Sequence, residues 1–187
     1  MPGFQPEATQ PSETDKAGRA EFRRKHRWRF RVLEQVTANG GGKPAFNDNT
    51  DWILLQKAAR PSFKYDEAVV HHDQEEAYFA GKQKWDPIAL VWYDSLTPDV
   101  SSDVWDWIQA VSQFTEANSP NVSLPSDYKK NCAIEMTSGT GGNADETWHI
   151  INAWPKEVNW NDLDYTNTEI QLINVQMRFD RAVHVAA

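Results

Sequence analysis

Three adjacent residues, His71, His72 and Asp73, are of the types that bind metal ions. Imidazole nitrogens and carboxylate oxygens are common zinc ligands. Successive side chains of a strand point to opposite faces, however, so the two histidines cannot reach one ion if the segment is extended. We therefore expect no metal at this position.

Two glycine-rich segments contain part of a phosphate-binding pattern. The first, Gly-Gly-Gly-Lys at residues 40–43, is followed by Pro44, where a phosphate-binding loop needs Ser or Thr to hold magnesium. No helical pattern follows it, and the second segment, residues 138–142, contains no lysine. Both segments are predicted to be turns.

No group of residues has the pattern of a catalytic site. Cys132 is the only cysteine, and its apolar neighbours Ala133, Ile134 and Met136 are typical of a buried strand that folds in a reducing cytoplasm. The chain has no Gly-x-Ser-x-Gly elbow, no His-Glu-x-x-His motif and no Cys-x-x-Cys pair. We expect neither enzyme activity nor a bound cofactor.

Charge is distributed unevenly along the chain. The net charge of −8 and the isoelectric point near 5.1 argue against an outer surface that holds nucleic acid. Residues 21–31 nevertheless carry +5, from six bases and one acid, so the rest of the chain carries −13. These bases are predicted either to line a solvated strand edge or arm, or to dock onto an acidic neighbour. The six are Arg23, Arg24, Lys25, Arg27, Arg29 and Arg31.

The length of 187 residues and the apolar content of 40% suit one domain with a real core. Residues 1–20 contain three prolines among polar residues and have no apolar period, so they are predicted to form an extended N-terminal arm. Residues 21–187 are predicted to form the domain. Neither a signal peptide nor a run of about 20 apolar residues is present, which predicts a soluble chain without a membrane anchor.

The most regular pattern lies in residues 169–180, where apolar and polar residues alternate as in a half-buried strand. The apolar face holds Ile173, Val175, Met177 and Phe179, and the polar face holds Asn174, Gln176, Arg178 and Asp180. Ile170 and Leu172 have the opposite parity, so the apolar face is predicted to change sides near Leu172, through a bulge or a passage between two environments.

Most other elements are also predicted to be strands. Their ranges are 26–36, 52–58, 63–70, 77–82, 88–93, 131–137 and 147–154. The third and fourth form a hairpin with residues 71–76 as its tip, and 88–93 is apolar on both faces, as in a central strand covered on both sides. One helix is predicted to begin with Ser101 or Ser102 as N-cap and to end near residue 117. This order predicts two packed antiparallel sheets with one flanking helix.

Several short segments follow one another in a fixed order between residues 22 and 182. They include Gln56-Lys57-Ala58-Ala59-Arg60-Pro61-Ser62, Trp85-Asp86-Pro87-Ile88, Val104-Trp105-Asp106-Trp107, Ala153-Trp154-Pro155 and Leu163-Asp164-Tyr165. This order resembles the tail tube proteins of contractile-tailed bacteriophages and, more loosely, the inner-tube proteins of related injection machines.

The resemblance implies a structural virion protein that is made in the host cytoplasm and resides in the tail. Six copies form a ring, and rings stack into a hollow tube inside a contractile sheath. Strands of all six copies join into one barrel around a channel through which DNA is ejected without specific binding. A long hairpin and the termini contact the next ring. The implied partners are the sheath, tape measure, baseplate and tail-terminator proteins.

Three groups of residues are assigned roles under this resemblance. The polar face Asn174, Gln176, Arg178 and Asp180, together with acids elsewhere, is predicted to line the channel, because a wall of like charge does not hold DNA phosphates. The tip residues His71, His72, Asp73, Glu75 and Glu76 are predicted to contact the next ring. The basic run from Arg23 to Arg31 is predicted to meet an acidic neighbour.

Two alternatives remain open at this point. One is the secreted ring protein of a bacterial contractile injection or secretion system, which shares the fold. The other is a monomeric β-sandwich that binds carbohydrate or acts as an enzyme, which would need aromatic side chains aligned on an exposed strand face.

Overall fold

The structure is a computed structural model, and it describes residues 25–34, 55–73, 75–97, 99–115, 118–137, 144–166 and 168–186. The predicted arm at residues 1–20 and the predicted loop at residues 37–50 lie outside these ranges.

Strands dominate the described part of the chain, which confirms the predicted fold class. The strands are β1 (Trp28–Val32), β2 (Leu55–Ala58), β3 (Phe63–His72), β4 (Glu75–Trp85), β5 (Ile88–Tyr93), β6 (Ser112–Thr115), β7 (Asn118–Val122), β8 (Lys130–Thr137), β9 (Ala144–Asn159), β10 (Leu172–Arg178) and β11 (Arg181–Ala186). The helices are α1 (Val100–Val111) and α2 (Pro125–Tyr128). Neither helix in the described ranges has the length and apolar character needed to cross a bilayer.

Seven strands form one antiparallel sheet in the order β1-β8-β9-β10-β5-β2, with β11 paired to β9. The long strand β9 belongs to both halves of this sheet. Its residues 144–153 pair with β8, and its residues 154–159 pair with β10. Near the end of the first part, Asn152 has a φ of 58°, a left-handed conformation that asparagine tolerates better than most residues. The strand therefore changes partner and direction at this point.

The two halves of the sheet pack against each other. Phe30 on β1 and Trp92 on β5 are separated by three strands in the sheet order, yet their ring centroids are 6.1 Å apart in an edge-to-face arrangement. Both side chains are 2% exposed. The sheet thus folds over on itself, and the space between its halves is the apolar core.

The apolar face predicted for the last long strand is confirmed. Ile173, Val175, Met177 and Phe179 are all buried. The predicted change of face near Leu172 is wrong, because β10 begins at Leu172 and Ile170 lies in the preceding loop. The bulge lies instead between Gln176 and Met177, where the pairing with β9 shifts.

The prediction that residues 88–93 are covered on both sides is wrong for the single chain. Ile88, Leu90 and Trp92 are buried, but Ala89 is exposed and Val91 is half-buried. A strand with apolar residues on both faces is covered only where other parts of a protein pack on both faces. In the single chain, one face of the part of the sheet that contains residues 88–93 is open.

The helix α1 begins and ends at residues other than those predicted. Asp99, not Ser101 or Ser102, is the N-cap, and its Oδ1 accepts a hydrogen bond of 3.0 Å from the backbone N–H of Ser102. The helix ends at Val111 because Ser112 is extended, with a φ of −150°, and leads into the hairpin of β6 and β7. The stripe Val100, Val104, Trp107 and Ala110 joins the core.

The faces of β10 can be tested by introducing a carboxylate at neighbouring positions. Ile173→Asp places an unpaired charge in the core and should cost several kcal/mol, with loss of soluble protein. Asn174→Asp on the open face should cost about 1 kcal/mol or less, because one hydrogen bond to Asn161 changes. Expression yield and denaturant unfolding measure both effects. Equal tolerance of the two substitutions contradicts the assignment of faces.

Candidate assembly surfaces

The strands β3 and β4 form a ribbon that pairs only with itself. With 10 and 11 residues, the strands extend roughly 33 Å at about 3.3 Å per residue. Ten of the eleven β4 residues are exposed. An isolated two-stranded ribbon is marginal in water, so this ribbon needs a partner surface to be well ordered.

Aromatic packing anchors the base of the ribbon to the body. The ring of Trp85 lies 5.0 Å from that of Phe63 and 5.6 Å from that of Phe179, and Arg178 donates a hydrogen bond of 2.8 Å to the carbonyl oxygen of Trp85. The ribbon therefore leaves the body in a defined direction.

The outer part of the ribbon has two faces of different chemistry. The first is apolar and consists of Ala68, Val70, Ala77 and Phe79, whose cross-strand pairs are Ala68 with Phe79 and Val70 with Ala77. Phe79 is 57% exposed and Val70 is 51% exposed. The second face carries a polar cluster in which Glu76 accepts a hydrogen bond from Tyr78 and lies 3.2 Å from His71. The first face has the composition of a protein contact surface.

A bulge on β4 divides the ribbon, because two of its residues, Gly81 and Lys82, lie opposite Asp66 alone. A Cβ atom on Gly81 would approach the carbonyl oxygen of Asp66 to 2.7 Å. Only glycine allows this close approach of the two backbones.

The tip of the ribbon is shorter than predicted. His71 and His72 belong to β3, Glu75 and Glu76 belong to β4, and the turn contains Asp73 with a φ of 53°. Continuous cross-strand pairing carries both strands through the polar residues that were predicted to form a loop. Within the described ranges, no group of three or more His, Cys, Asp or Glu side chains could hold a metal ion.

The second surface is the open face of the half-sheet made by β2, β5, β10 and residues 154–159 of β9. The register places side chains rich in amides on it. They are Lys57, Ala89, Val91, Tyr93, Glu157, Asn159, Leu172, Asn174 and Gln176. Lys57 and Glu157 balance each other, so this face is close to neutral rather than acidic.

The four side chains predicted to line a channel divide between two places. Asn174 and Gln176 lie exposed on the amide-rich face. Arg178 is half-buried and holds the base of the ribbon through Trp85. Asp180 lies beyond the end of β10, at the corner that leads into β11.

Asp180 is the centre of a polar cluster at this corner. Its carboxylate lies 2.9 Å from the ammonium group of Lys129 and accepts a hydrogen bond of 2.8 Å from the side-chain amide of Asn152. Partial burial raises the pKa of Asp180, but the hydrogen bonds from Lys129 and Asn152 and the lysine charge outweigh it, so the pKa is lowered overall. The cluster joins the bend of β9 to the β10–β11 corner.

Two of the six basic residues are used inside the chain. Arg29 and Arg31 both bind Glu135, with the shortest nitrogen–oxygen distances at 2.6 and 3.2 Å. Glu135 is only 6% exposed, so its charge needs these partners. Lys25 is exposed and Arg27 is half-buried, and neither makes an ion pair within the described part of the chain. Arg23 and Arg24 lie outside it.

Sequence reasoning missed a third surface, the loop 161–171 between β9 and β10. Its Leu163, Tyr165 and Ile170 are all strongly exposed. The signal was present, since large apolar residues stand in a segment without strand or helix period, but Leu163 and Tyr165 were used only as part of a family motif.

Comparisons with known proteins identify a family. Residues 56–183, more than half of the chain, match the family model described as T4-like virus tail tube protein gp19. No curated protein matches the chain significantly.

Solved structures share the fold. The tube-terminating cap of the anti-feeding prophage has a TM-score of 0.66 at 15% identity, over 94% of this chain and 98% of the other. A chain of the sheath–tube complex of the extracellular contractile injection system PVC has a TM-score of 0.64 at 17% identity, over 95% of this chain and 100% of the other. At such low identity the similarity establishes the fold alone.

The corner cluster can be tested through the pH dependence of stability. Because the pKa of Asp180 is lowered in the folded chain, its stabilising effect is present above the pKa of the unfolded state and is lost as pH falls through the folded pKa. Asp180→Asn should lower the free energy of unfolding by about 1 kcal/mol at pH 7. The difference from the unsubstituted chain should shrink toward pH 2. Denaturant unfolding at both pH values measures it, and a difference that does not change with pH contradicts the role of the charge.

Proposed function

The chain belongs to the T4-like virus tail tube protein family, and on that basis we propose that six copies form a ring and that the rings stack into the hollow tube of a contractile tail. The family is structural, so the expectations of a tail tube protein without enzyme activity are confirmed. Under the proposal the protein resides in the virion tail after assembly in the host cytoplasm. The division into an arm at residues 1–20 and a domain at residues 21–187 stays a prediction.

Open strand edges support closure of a ring. The half-sheet that carries the amide-rich face ends on β2 at one side and on residues 154–159 of β9 at the other, and neither edge has a further partner strand in the described part of the chain. An edge of this kind presents unpaired N–H and C=O groups. Pairing of the β2 edge of one copy with the β9 edge of the next would remove both edges and close the six half-sheets into a barrel.

The amide-rich face is the proposed wall of the channel. Apart from Arg178, which binds Trp85, only Lys57 and Glu157 on this face are charged, and their charges cancel. A protein binds DNA tightly when clustered bases displace the counterions of its phosphates. The near absence of base on this face therefore suits a conduit for DNA that passes without being held. Asn174 and Gln176 are still proposed to line the channel. Asp180, through its ion pair, and Arg178, through its hydrogen bond, instead stabilise the fold.

The ribbon of β3 and β4 is the proposed contact between rings. Its apolar face, with Val70 and Phe79 about half exposed, would be buried against the neighbouring ring, and the polar cluster of His71 and Glu76 would remain nearer to solvent. Burial of the apolar face would supply the partner that a two-stranded ribbon lacks in a single copy.

A second candidate function is the inner tube of a contractile injection system. The observation that favours it is the fold of the chains cited above, which come from the anti-feeding prophage and from PVC. Similar chains occur in sheath–tube, terminator and baseplate complexes, so sheath, terminator and baseplate proteins are the proposed partners in either setting. A tape measure protein inside the tube is proposed from the family resemblance.

Electron microscopy of the purified chain tests the main proposal. We expect six-fold rings with a central hole and, at higher concentration, stacked tubes, because strand edges and apolar surfaces would be covered only in the assembly. A compact particle of 21.4 kDa at every concentration contradicts the proposal. The origin of the tube separates the two candidate functions. If phage particles purified from infected cells contain the chain in their tails, the protein is a phage tail protein and not part of an injection system.

Neighbouring residues on β4 test the role of the ribbon. Phe79→Ser removes an aromatic ring from the apolar face and should shorten tubes about tenfold while rings still form, since a buried aromatic anchor contributes one to several kcal/mol to a contact. Tyr78→Ser, on the opposite face and similarly exposed at 63%, is the matched control and should leave tube length within about twofold. Tube lengths in micrographs give the readout. Equal lengths for both variants contradict the assignment of the docking face.

A further inference from the structure

One end of the protomer exposes a cluster of large apolar side chains, which we name the end patch: Leu96, Leu163, Tyr165 and Ile170. Leu96 is 95% exposed, Leu163 87%, Tyr165 110% and Ile170 67%. The segments that carry them are adjacent, since the backbone N–H of Asp94 donates to the carbonyl oxygen of Gln171 at 2.9 Å. Such a concentration of exposed apolar side chains is typical of an interaction site.

Hydrogen bonds, not apolar packing, give the loop 161–171 its shape. Asp164 Oδ1 accepts bonds of 2.9 and 2.8 Å from the backbone N–H and the hydroxyl of Thr166. The side-chain amide of Asn161 donates to the carbonyl oxygen of Leu172 at 2.6 Å. The loop thus surrounds a concavity of about 630 Å³ while its leucine, tyrosine and isoleucine face solvent. A loop held in this way is ready to receive a partner without first ordering itself.

The end patch is acidic as well as apolar. The loop carries Asp162, Asp164 and Glu169, and no lysine or arginine occurs from residue 157 to residue 177. The hydrogen bonds from Thr166 lower the pKa of Asp164, so this carboxylate is ionised at neutral pH. A suitable partner therefore carries positive charge on side chains that also have apolar stems.

Arg27, in the basic stretch, lies near the other end of β9. The backbone N–H of Thr137 donates to the carbonyl oxygen of Arg27 at 3.1 Å, and Thr137 pairs with Ala144, the first residue of β9. The loop 161–171 follows Asn159, the last residue of that strand. Residues 23–27 contain four bases, and Lys25 and Arg27 are not paired within the described part of the chain. Arg27 and the loop thus lie next to opposite ends of β9, so a head-to-tail contact between two copies can bring them together.

We propose that the end patch of one copy binds residues 23–27 of a second copy of this chain, in the adjacent ring. This proposal rests on the proposed stacking of rings and adds the surface that receives the basic stretch. Carboxylates of the loop would attract the bases, and the long stems of Arg and Lys would lie on Leu163 and Tyr165, where the phenol ring also favours a guanidinium group. Head-to-tail contact of this kind repeats from ring to ring and builds a tube of fixed polarity.

A charge swap in the full chain tests this contact. Asp162→Lys with Asp164→Lys should leave six-fold rings intact but shorten tubes at least about tenfold at 0.1 M salt, because attraction becomes repulsion. Lys25→Glu with Arg27→Glu should have the same effect. The combination of all four substitutions should restore tube length to within about threefold of the unsubstituted chain. Electron microscopy gives ring counts and tube lengths for each variant.

Two control variants separate charge from loop shape and from total charge. Thr166→Val removes a hydroxyl bond to Asp164 but keeps both carboxylates, and Asp127→Lys reverses an exposed carboxylate on α2. Both should form tubes of normal length.

The outcomes distinguish failure of this proposal from failure of the proposed function. Long tubes from the Asp162→Lys/Asp164→Lys variant, or no recovery in the fourfold variant, overturn the contact while the tube function stands. Loss of sheath binding without change in tube length also overturns it, because the end patch would then serve a different protein. Absence of rings from the unsubstituted chain overturns the tube function itself.

Discussion

Unpaired strand edges are the constraint on which the rest of this structure depends. A backbone N–H or C=O group at an edge must find a partner or remain in water, and a row of them is a template for another strand. In the described part of the chain, β2 and the second half of β9 each have one neighbour, and the ribbon of β3 and β4 has none beyond itself. Exposed Val70 and Phe79 add an apolar surface that a single copy leaves in water. A single copy thus leaves these edges and this apolar surface uncovered.

The strand β9 connects the core of the protein to the open half-sheet. Its first half builds the core with β8 and β11, and its second half belongs to the open half-sheet. The change of direction at Asn152 lets one strand serve both, and the bonds of Asp180 to Lys129 and Asn152 hold that bend against the β10–β11 corner. The positions of the side chains on the open face therefore depend on a polar cluster that lies outside this face.

Charge has separate uses in different parts of the chain. Buried Glu135 needs Arg29 and Arg31, so that part of the basic run stabilises the fold. Lys25 and Arg27, which precede it, make no ion pair within the described ranges. Acids are abundant at the loop 161–171 and sparse on the amide-rich face. The net charge of −8 therefore does not describe the charge of any one of these surfaces.

The sequence by itself determined the strand-dominated fold, the buried face of Ile173, Val175, Met177 and Phe179, and the family, because alternation and ordered motifs are local properties of the chain. The predicted N-cap and the predicted end of α1 were wrong. Several residues near the start of α1 can act as a cap, and only the path of the backbone selects Asp99. Tertiary structure alone decided that Arg178 binds Trp85 and that Asp180 lies beyond the end of β10. It also decided that Arg29 and Arg31 meet Glu135 about a hundred residues away, and that Leu163 and Tyr165 face solvent. These outcomes depend on contacts between distant segments, which no local pattern encodes.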